Sequence, residues 1–335
     1  QAEGALNART PLRYTGARGC FMSGPDLCST VFVLHTQQVF PAHLFLGRAV
    51  YKLFLLMLGR MTQLTGDARY AELASELHDL NAALPFTASD LFQSDRAYYW
   101  FRLTGLEPRI CDVLQRMVEM LPGQTLDVPP REDVAEAAWS AKIEAAMMAY
   151  HDWAGQATYT GFVQDAWARP AEHQITLDFM TPTALRSVGV YRPFPEPSLV
   201  FKLLYERLLK LDGMSLPFQP EVEYVEACAS YLVEVTDYQI VCAQIPVKQS
   251  HVTAFYGWAA YDLHRDNDAF RKRARTREER DHDPGLTAIY THIMSHHAQY
   301  ACLLNLLADF AFYSGVGLQT GQGMGMVRRG QANRR

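Results

Sequence analysis

The sequence predicts an α+β protein with two tandem ferredoxin-like domains, at residues 1–168 and 169–335, and three observations support this. Hydrophobic residues make up 49% of the 335 residues and charged residues 20%, which is typical of a globular chain long enough for two domains. Each half repeats the order strand, helix, strand, strand, helix, strand, which is the βαββαβ motif. A polar, proline-containing segment at 167–172 (WARPAE) is the predicted linker between the halves.

The first half alternates between apolar runs and amphipathic stretches. Tyr70, Leu73 and Leu77 recur at the spacing of one helix face, whereas the aromatic run YYWFRLTGL at 98–106 is typical of a strand. Pro108 stands where a helix would begin. The predicted elements are a strand at 31–40, helices at 43–64 and 67–80, strands at 85–92 and 98–106, and helices at 108–121 and 131–150.

The second half repeats that order around a charged insertion. The segment HQITLDFM at 173–180 alternates as a strand does. The predicted elements are a strand at 173–180, a helix at 199–211, strands at 231–247 and 252–263, a long helix at 286–313 that is open to an interruption, and a short final strand. RNA-binding RRM domains use the same βαββαβ order. Each half is therefore expected to form a four-stranded antiparallel sheet with two helices on one face.

Charge and cysteine content exclude several functional classes. The net charge of −5 lacks the basic balance typical of a nucleic-acid binder, so any RNA site must be a local patch. The six cysteines include no Cys-x-x-Cys pair, which argues against a zinc ribbon or a disulfide framework and favours a reduced, cytoplasmic protein. The first thirty residues lack the apolar run of a signal peptide. The apolar stretch 44–61 contains three basic residues, so it is not expected to span a membrane.

The most informative motif is GVGLQTGQGMG at 315–325, in which two Gly-hydrophobic-Gly triplets flank five residues. A dinucleotide fingerprint needs a strand before it and a third glycine, where Thr320 stands here, and a P-loop needs Gly-Lys-Ser/Thr after it. Two interpretations remain open. The segment is either a loop whose backbone approaches a ligand closely and points N–H groups at phosphates, or a flexible connector.

The run LLNLLADFAFYSGVGLQTGQGMGMVRR at 303–329 resembles the C-terminal signature of CRISPR-associated endoribonucleases that cut precursor crRNA. These are RAMP-superfamily proteins of the sixth numbered family of Cas proteins. Segments at 85–92, 99–108, 153–163 and 175–204 resemble other parts of the same family in the same order, so the resemblance covers most of the chain. It implies two tandem ferredoxin-like domains, in agreement with the element order.

The resemblance also implies a function. The expected reaction is metal-independent cleavage of CRISPR repeat RNA, without a cofactor, giving a 5′-hydroxyl and a cyclic phosphate. Repeat RNA is the expected partner, with other Cas proteins as further partners and neither a membrane nor DNA. The RNA is expected in the cleft between the domains, with the glycine motif and the first helix on its walls. Two alternatives stay open: a non-catalytic repeat-RNA-binding protein, and an assembly domain of a larger CRISPR adaptation fusion.

The first helix departs from the family pattern. The family often has a catalytic histidine in a Gly-x-Ala-hydrophobic-His context, and the matching stretch at 47–55 has Tyr51 at the histidine position. The predicted catalytic residues are therefore Tyr51 as a positioning or donating group, Lys52 as a stabiliser of phosphorane charge, and His43 as the nearby group that titrates around neutrality. Alternatively, Arg48 and Lys52 form a solvated face and Tyr51 is a buried aromatic.

The loop departs from the family as well, because its five inner residues carry no Lys or Arg, and Arg328 and Arg329 are the nearest substitutes. The predicted RNA-binding residues are Arg48, Arg186, Arg192, Arg271, Lys272, Arg273, Arg275, Gly315, Gly317, Gly323, Gly325 and Arg328. The basic run at 271–280 either grips phosphates or is an ordinary solvated loop. His292 and His296 stand at helical spacing without the acidic residue of zinc proteases, so no metal site is predicted.

Overall fold

The computed structural model describes residues 24–41, 44–79, 84–130, 138–247, 250–265, 267–268, 271 and 284–330. Within these residues, the two large sheets are antiparallel, and their strands come from different halves of the chain. Strands between Leu27 and Ala157 form the first sheet, and strands between Gln174 and Arg329 form the second. The predicted division at 168/169 falls between a helix and the first strand of the second sheet, and the independence of the two units stays a prediction.

The first sheet has the strand order of a ferredoxin-like domain with additional strands at its margins. Its strands are β1 Leu27–His35, β2 Phe86–Ala88, β3 Phe92–Asp95, β4 Tyr98–Gly105, β5 Thr125–Val128, β6 Trp139–Met147 and β7 Gly155–Ala157. The order is β2-β4-β1-β6-β5, with β3 on β4 and β7 on β1. The described helices are α1 Gly47–Thr65, α2 Arg69–Asp79, α3 Pro108–Met120 and α4 Tyr159–Ala168. Within the described residues, the sheet therefore has seven strands rather than the expected four.

Hydrophobic side chains fix α1 and α3 against this sheet. Phe32 of β1 stacks on Phe101 of β4, with ring centroids 5.3 Å apart, and both side chains are fully buried. Leu53 and Met57 of α1 belong to the same core. Because burial of such side chains is the main favourable term in folding, this face positions α1 on the sheet.

In the part of the chain that the structure describes, the second sheet has four strands in the order β11-β12-β8-β13, as the βαββαβ motif requires. Its strands are β8 Gln174–Thr183, β11 Val233–Val247, β12 Ser250–Leu263 and β13 Val327–Arg329, and a separate hairpin consists of β9 Leu185–Ser187 and β10 Val190–Arg192. The described helices are α5 Pro197–Leu208, α6 Val222–Leu232, α7 Pro284–Ser295 and α8 His297–Ser314. The predicted long helix is thus divided at His296, and the glycine-rich loop (315–325) joins α8 to β13.

Helix α8 contacts both halves of the chain. Its Phe310 lies 6.4 Å from the ring of Phe162 in α4, within one core that also includes residues of the second sheet. At its carboxyl end, the Tyr313 carbonyl accepts a hydrogen bond from the Thr87 hydroxyl of β2, at 3.1 Å. Helix α8 is therefore bonded to the first sheet directly before the glycine-rich loop begins.

The helix predicted at 131–150 is wrong over its described part, where residues 139–147 form β6. Trp139, Ala141 and Ile143 point into the core in strict alternation, with 6%, 1% and 0% of their surfaces exposed. Alanine and glutamate favour a helix intrinsically, but pairing with both β1 and β5 decides the conformation here. The strand predicted at 231–247 begins at Val233, and the helix α6 before it is absent from the prediction.

Candidate nucleic-acid interface

The glycine-rich loop packs against its own protein through positions that exclude a side chain. A Cβ atom on Gly323, whose φ is +93°, would lie 2.3 Å from the Gly47 Cα atom at the start of α1. A Cβ atom on Gly317, whose φ is +85°, would lie 2.4 Å from the carbonyl oxygen of Ala184. Both distances are far below van der Waals contact. The predicted glycines therefore permit close approach of protein backbone, and RNA contact by them stays a prediction.

Asp90 also fixes the amino end of α1, where the glycine-rich loop contacts Gly47. Its Oδ1 atom accepts hydrogen bonds from the backbone N–H groups of Leu46, at 2.7 Å, and Leu91, at 2.8 Å. Leu46 directly precedes α1, so this carboxyl group ties the amino end of the helix to the strand region after β2. Burial raises the pKa of Asp90 to about 6, against the lowering effect of its two backbone donors.

A prediction follows for pH dependence. Because the folded-state pKa is raised from 3.8 to about 6, the stabilisation linked to this group is complete below about pH 4 and is lost as the pH rises through 6. The free energy of unfolding of wild type minus that of Asp90→Asn should therefore fall between pH 4 and 6, by on the order of 3 kcal/mol. Denaturant unfolding of both proteins across this range measures the difference. A difference that rises with pH instead would mean that the helix end stabilises the carboxylate more than burial penalises it.

Two arginines, one fully and one partly buried, attach the loop and the helix end before it to the rest of the protein. Arg102 of β4 is fully buried and donates from Nη1 to the Phe312 carbonyl at the end of α8, at 2.8 Å. Its guanidinium carbon lies 5.1 Å from the ring centroid of Trp153, and burial lowers its pKa to about 9. Arg207 of α5 donates to the Thr320 hydroxyl within the loop and to the Leu84 carbonyl. Neither arginine was predicted, because an isolated arginine carries no sequence pattern.

Two of the three predicted catalytic residues, Tyr51 and Lys52, lie on α1, whose first residue makes the Gly47–Gly323 contact. Arg48 and Lys52 are one turn apart in the first two turns of α1, and both side chains are partly exposed. The Tyr51 hydroxyl donates to the Leu77 carbonyl of α2, at 3.1 Å, and its partial burial raises its pKa. His43 lies outside the described residues. The structure therefore places two cations on the helix that contacts the loop and turns the Tyr51 hydroxyl toward α2.

A small apolar cluster adds the β9–β10 hairpin to this region. Ala184 and Met324 form the cluster with Tyr191, with Phe45 just before α1 and with the distal part of the β11–β12 hairpin. The Leu318 N–H group also donates to the Ala184 carbonyl, at 2.9 Å. The hairpin carries the predicted residues Arg186 and Arg192, both exposed. The segment before α1, the β9–β10 hairpin and the glycine-rich loop thus pack against one another.

Arg328 lies on the strand that leaves the loop. Its guanidinium carbon is 4.6 Å from the ring centroid of Trp153. The carboxylates of Asp152, at 3.9 Å, and Asp178, at 3.8 Å, compensate part of its charge. The neighbouring Arg329 pairs with Glu172 and Asp309, which connects β13 to the predicted linker and to α8. Trp153, which contacts both Arg102 and Arg328, is a further residue that the sequence did not single out.

Arg271, the first residue of the basic run at 271–280, lies in a different part of the molecule. Strand β12 pairs Phe255 with Thr183 beside the loop region and Asp262 with Gln174 at the other end of the sheet, seven residues later. That separation is about 23 Å. Arg271 follows beyond this far end and contacts Asp268 and Tyr290. Lys272, Arg273 and Arg275 lie outside the described residues.

The described residues offer no arrangement that could hold a metal ion. His292 and His296, which have metal-ligand spacing in the sequence, instead place their ring centroids 4.5 Å apart and lie against Phe218. In the part of the chain that the structure covers, none of the helices combines the length and apolarity needed to cross a bilayer.

A family sequence model matches the part of the chain that contains the glycine-rich loop. Residues 177–327 match the sequence model of the family described as CRISPR-associated endoribonuclease Cas6, from within β8 to the start of β13. This part of the chain is similar in sequence to the Cas6 family. The Cas6 match therefore includes the second sheet, helix α8 and the whole glycine-rich loop. A comparison with curated proteins gives no significant match.

Solved Cas6 structures share the fold over almost the whole chain. A Cas6 product complex is 24% identical, with a TM-score of 0.61 over 91% of this chain and 99% of that chain. A Cas6 substrate mimic complex is 22% identical, with a TM-score of 0.60 over 92% and 100%. Cas6 from Thermus thermophilus is 17% identical, with a TM-score of 0.62 over 92% and 100%. At these identities the likeness establishes the fold, and the predicted tandem ferredoxin-like architecture is confirmed.

Proposed function

We propose that this protein binds CRISPR repeat RNA and cleaves it within precursor crRNA. One observation carries the proposal: the glycine-rich loop of the Cas6 match touches the amino end of α1 at Gly47, and two cations follow on the next two turns of that helix. Two of the similar structures are a product complex and a substrate mimic complex, which supports RNA processing by this fold. The proposed enzyme is a metal-independent endoribonuclease.

The proposed reaction uses the RNA as its own nucleophile. A ribose 2′-hydroxyl is already held next to the adjacent phosphorus, so much of the entropic barrier is absent. Its attack forms a bond to phosphorus and breaks the bond to the 5′-oxygen of the next nucleotide, which leaves a cyclic phosphate and a 5′-hydroxyl. The protein has to remove one proton, stabilise the phosphorane charge and protonate the leaving oxygen.

The residues of α1 suit part of this work. Lys52 stabilises the phosphorane charge, and Arg48, one turn earlier, binds a neighbouring phosphate. Tyr51 acts through position, because its hydroxyl is occupied by the Leu77 carbonyl and packs α1 onto α2. His43, just before α1, is the proposed group for proton transfer, because an imidazole titrates near neutrality.

The remaining contacts are proposed with phosphates. Arg186 and Arg192 on the β9–β10 hairpin flank the loop region, and Arg328 borders it from β13. Arg271 follows the far end of the second sheet, so this first residue of the basic run at 271–280 would reach a more distant part of the RNA. Such contacts release counterions, so the logarithm of the affinity should fall with the logarithm of the salt concentration.

The experiment uses precursor RNA that contains the repeats of the protein's own locus. We expect one cut in each repeat in the presence of EDTA, with 5′-hydroxyl ends that polynucleotide kinase labels without prior phosphatase treatment. Binding without any cut would favour a non-catalytic RNA-binding protein, to which the tyrosine at position 51 also points. A protein that neither binds nor cuts the repeat would favour an assembly domain of a larger CRISPR protein.

A further inference from the structure

The turn of the β9–β10 hairpin has an unusual residue at its tip. Ser187 pairs with Val190, so the loop has two residues, Val188 and Gly189. Both have positive φ, at 48° and 79°, which defines a type I′ turn. Such turns favour Asn-Gly or Gly-Gly, and a β-branched side chain in the left-handed region is a genuine outlier. The hairpin therefore keeps a valine where the backbone disfavours it.

Packing within the protein does not explain this valine. Val188 is 95% exposed and Val190 is 57% exposed, so the tip contributes little to the hydrophobic core. Strained residues of this kind persist mainly where function uses them. An apolar side chain at an exposed, strained tip is best explained by a partner that covers it.

The chemistry around the tip indicates which partner. Arg186 and Arg192 stand on the two strands of the hairpin and are exposed, and residues 184–195 contain no acidic side chain. An apolar tip between two cations matches RNA, in which apolar base faces alternate with phosphates. Tyr191 anchors the hairpin in the cluster that holds Phe45, two residues before α1. The tip therefore projects from the region of proposed cleavage.

We infer that Val188 packs against a nucleobase of the repeat RNA close to the cleavage point, while Arg186 and Arg192 pair with the phosphates on either side. This inference rests on the proposed function and adds a specific contact to it. Apolar side chains serve as wedges against nucleobases in other nucleic-acid complexes. The hairpin presents such a side chain at its tip, while its strands are anchored beside the contact between α1 and the glycine-rich loop.

The test compares Val188→Asn with Val188→Ile. Asn-Gly suits a type I′ turn better than Val-Gly, so the asparagine variant should fold with an equal or higher melting temperature. Its dissociation constant for repeat RNA should nevertheless rise about tenfold, since the buried apolar contact is lost. The slope of log affinity against log salt should not change, because no phosphate contact is removed. Val188→Ile keeps the apolar contact and should bind within about twofold of wild type.

A matched control removes an exposed apolar side chain elsewhere. Leu64, near the last turn of α1, is 38% exposed and lies about 25 Å along the helix from Gly47. Leu64→Asn should leave RNA affinity unchanged. Fluorescence anisotropy with labelled repeat RNA, at several salt concentrations, measures all four proteins.

The outcomes separate this inference from the proposed function. If the wild type does not bind repeat RNA, the proposed function fails and the inference fails with it. If the wild type binds and Val188→Asn binds equally well, the inference alone is overturned. It is also overturned if Val188→Ile loses as much affinity as Val188→Asn, or if the salt slope falls, because the contact would then not be an apolar one.

Discussion

Gly47→Ala is expected to destabilise the protein and to slow repeat-RNA cleavage about 100-fold. An added Cβ atom would lie 2.3 Å from the Gln322 carbonyl oxygen and 2.6 Å from the Gly323 Cα atom. Backbone cannot yield as a flexible side chain can, so the helix and the loop must separate. Overpacking of this kind costs about 1–3 kcal/mol, and a misplacement of about 1 Å near the reacting groups can cost about 100-fold in rate. Denaturant unfolding and single-turnover cleavage measure the two effects.

Gly59→Ala is the matched control, because this residue lies in the same helix and no atom of the described residues lies within 4 Å of an added Cβ atom. Replacing glycine by alanine inside a helix normally stabilises by up to about 1 kcal/mol, so the two substitutions should have opposite signs. Gly323→Ala is a less clean test, because its φ of +93° makes any side chain unfavourable. If both Gly47→Ala and Gly59→Ala stabilise the protein, the close contact between α1 and the loop does not exist in solution.

Lys52→Ala is expected to slow single-turnover cleavage by about 10²–10³-fold while repeat-RNA binding changes much less. Removing one group that stabilises transition-state charge lowers the rate by about this factor. Such a group stabilises the ground state far less than the transition state, so binding changes little. Tyr51→Phe should cleave at nearly the wild-type rate, because the hydroxyl already donates to the Leu77 carbonyl. Rates at saturating protein separate the chemical step from binding.

Lys142→Ala controls for loss of a lysine charge, because Lys142 lies on β6 in an exposed ion pair with Glu144. It should cleave as the wild type does. Equal cleavage rates for Lys52→Ala and Lys142→Ala would show that Lys52 has no role in catalysis. A slow Tyr51→Phe variant with wild-type affinity would instead assign the tyrosine hydroxyl a direct catalytic role.

The sequence predicted the elements that have strong local patterns. The strand around Phe101 and the helix that begins at Pro108 lie within one residue of their predicted bounds. The region around Ile143 was mispredicted, because its alanines and glutamate favour a helix locally and only pairing with β1 and β5 makes it a strand. Tertiary context commonly overrides propensity in this way.

The site was predictable in its parts but not in its assembly. The glycine-rich loop was recognised from its spacing, whereas a catalytic role for Lys52 stays a prediction. The Gly47–Gly323 contact joins residues far apart in the chain, and no local pattern pairs them. The left-handed conformation of Val188 was hidden for another reason: a valine before a glycine does not suggest a type I′ turn, for which asparagine is the usual residue.

The most direct test of RNA cleavage is a single-turnover experiment in EDTA with two repeat RNAs. One is the natural repeat, and the other carries a 2′-deoxy nucleotide immediately before the mapped cut. The proposed mechanism predicts that the natural repeat is cut without added metal, whereas the 2′-deoxy repeat is bound with similar affinity and stays intact, because its internal nucleophile is missing. Cleavage of the 2′-deoxy repeat, or cleavage of the natural repeat only when Mg²⁺ is added, would contradict the mechanism.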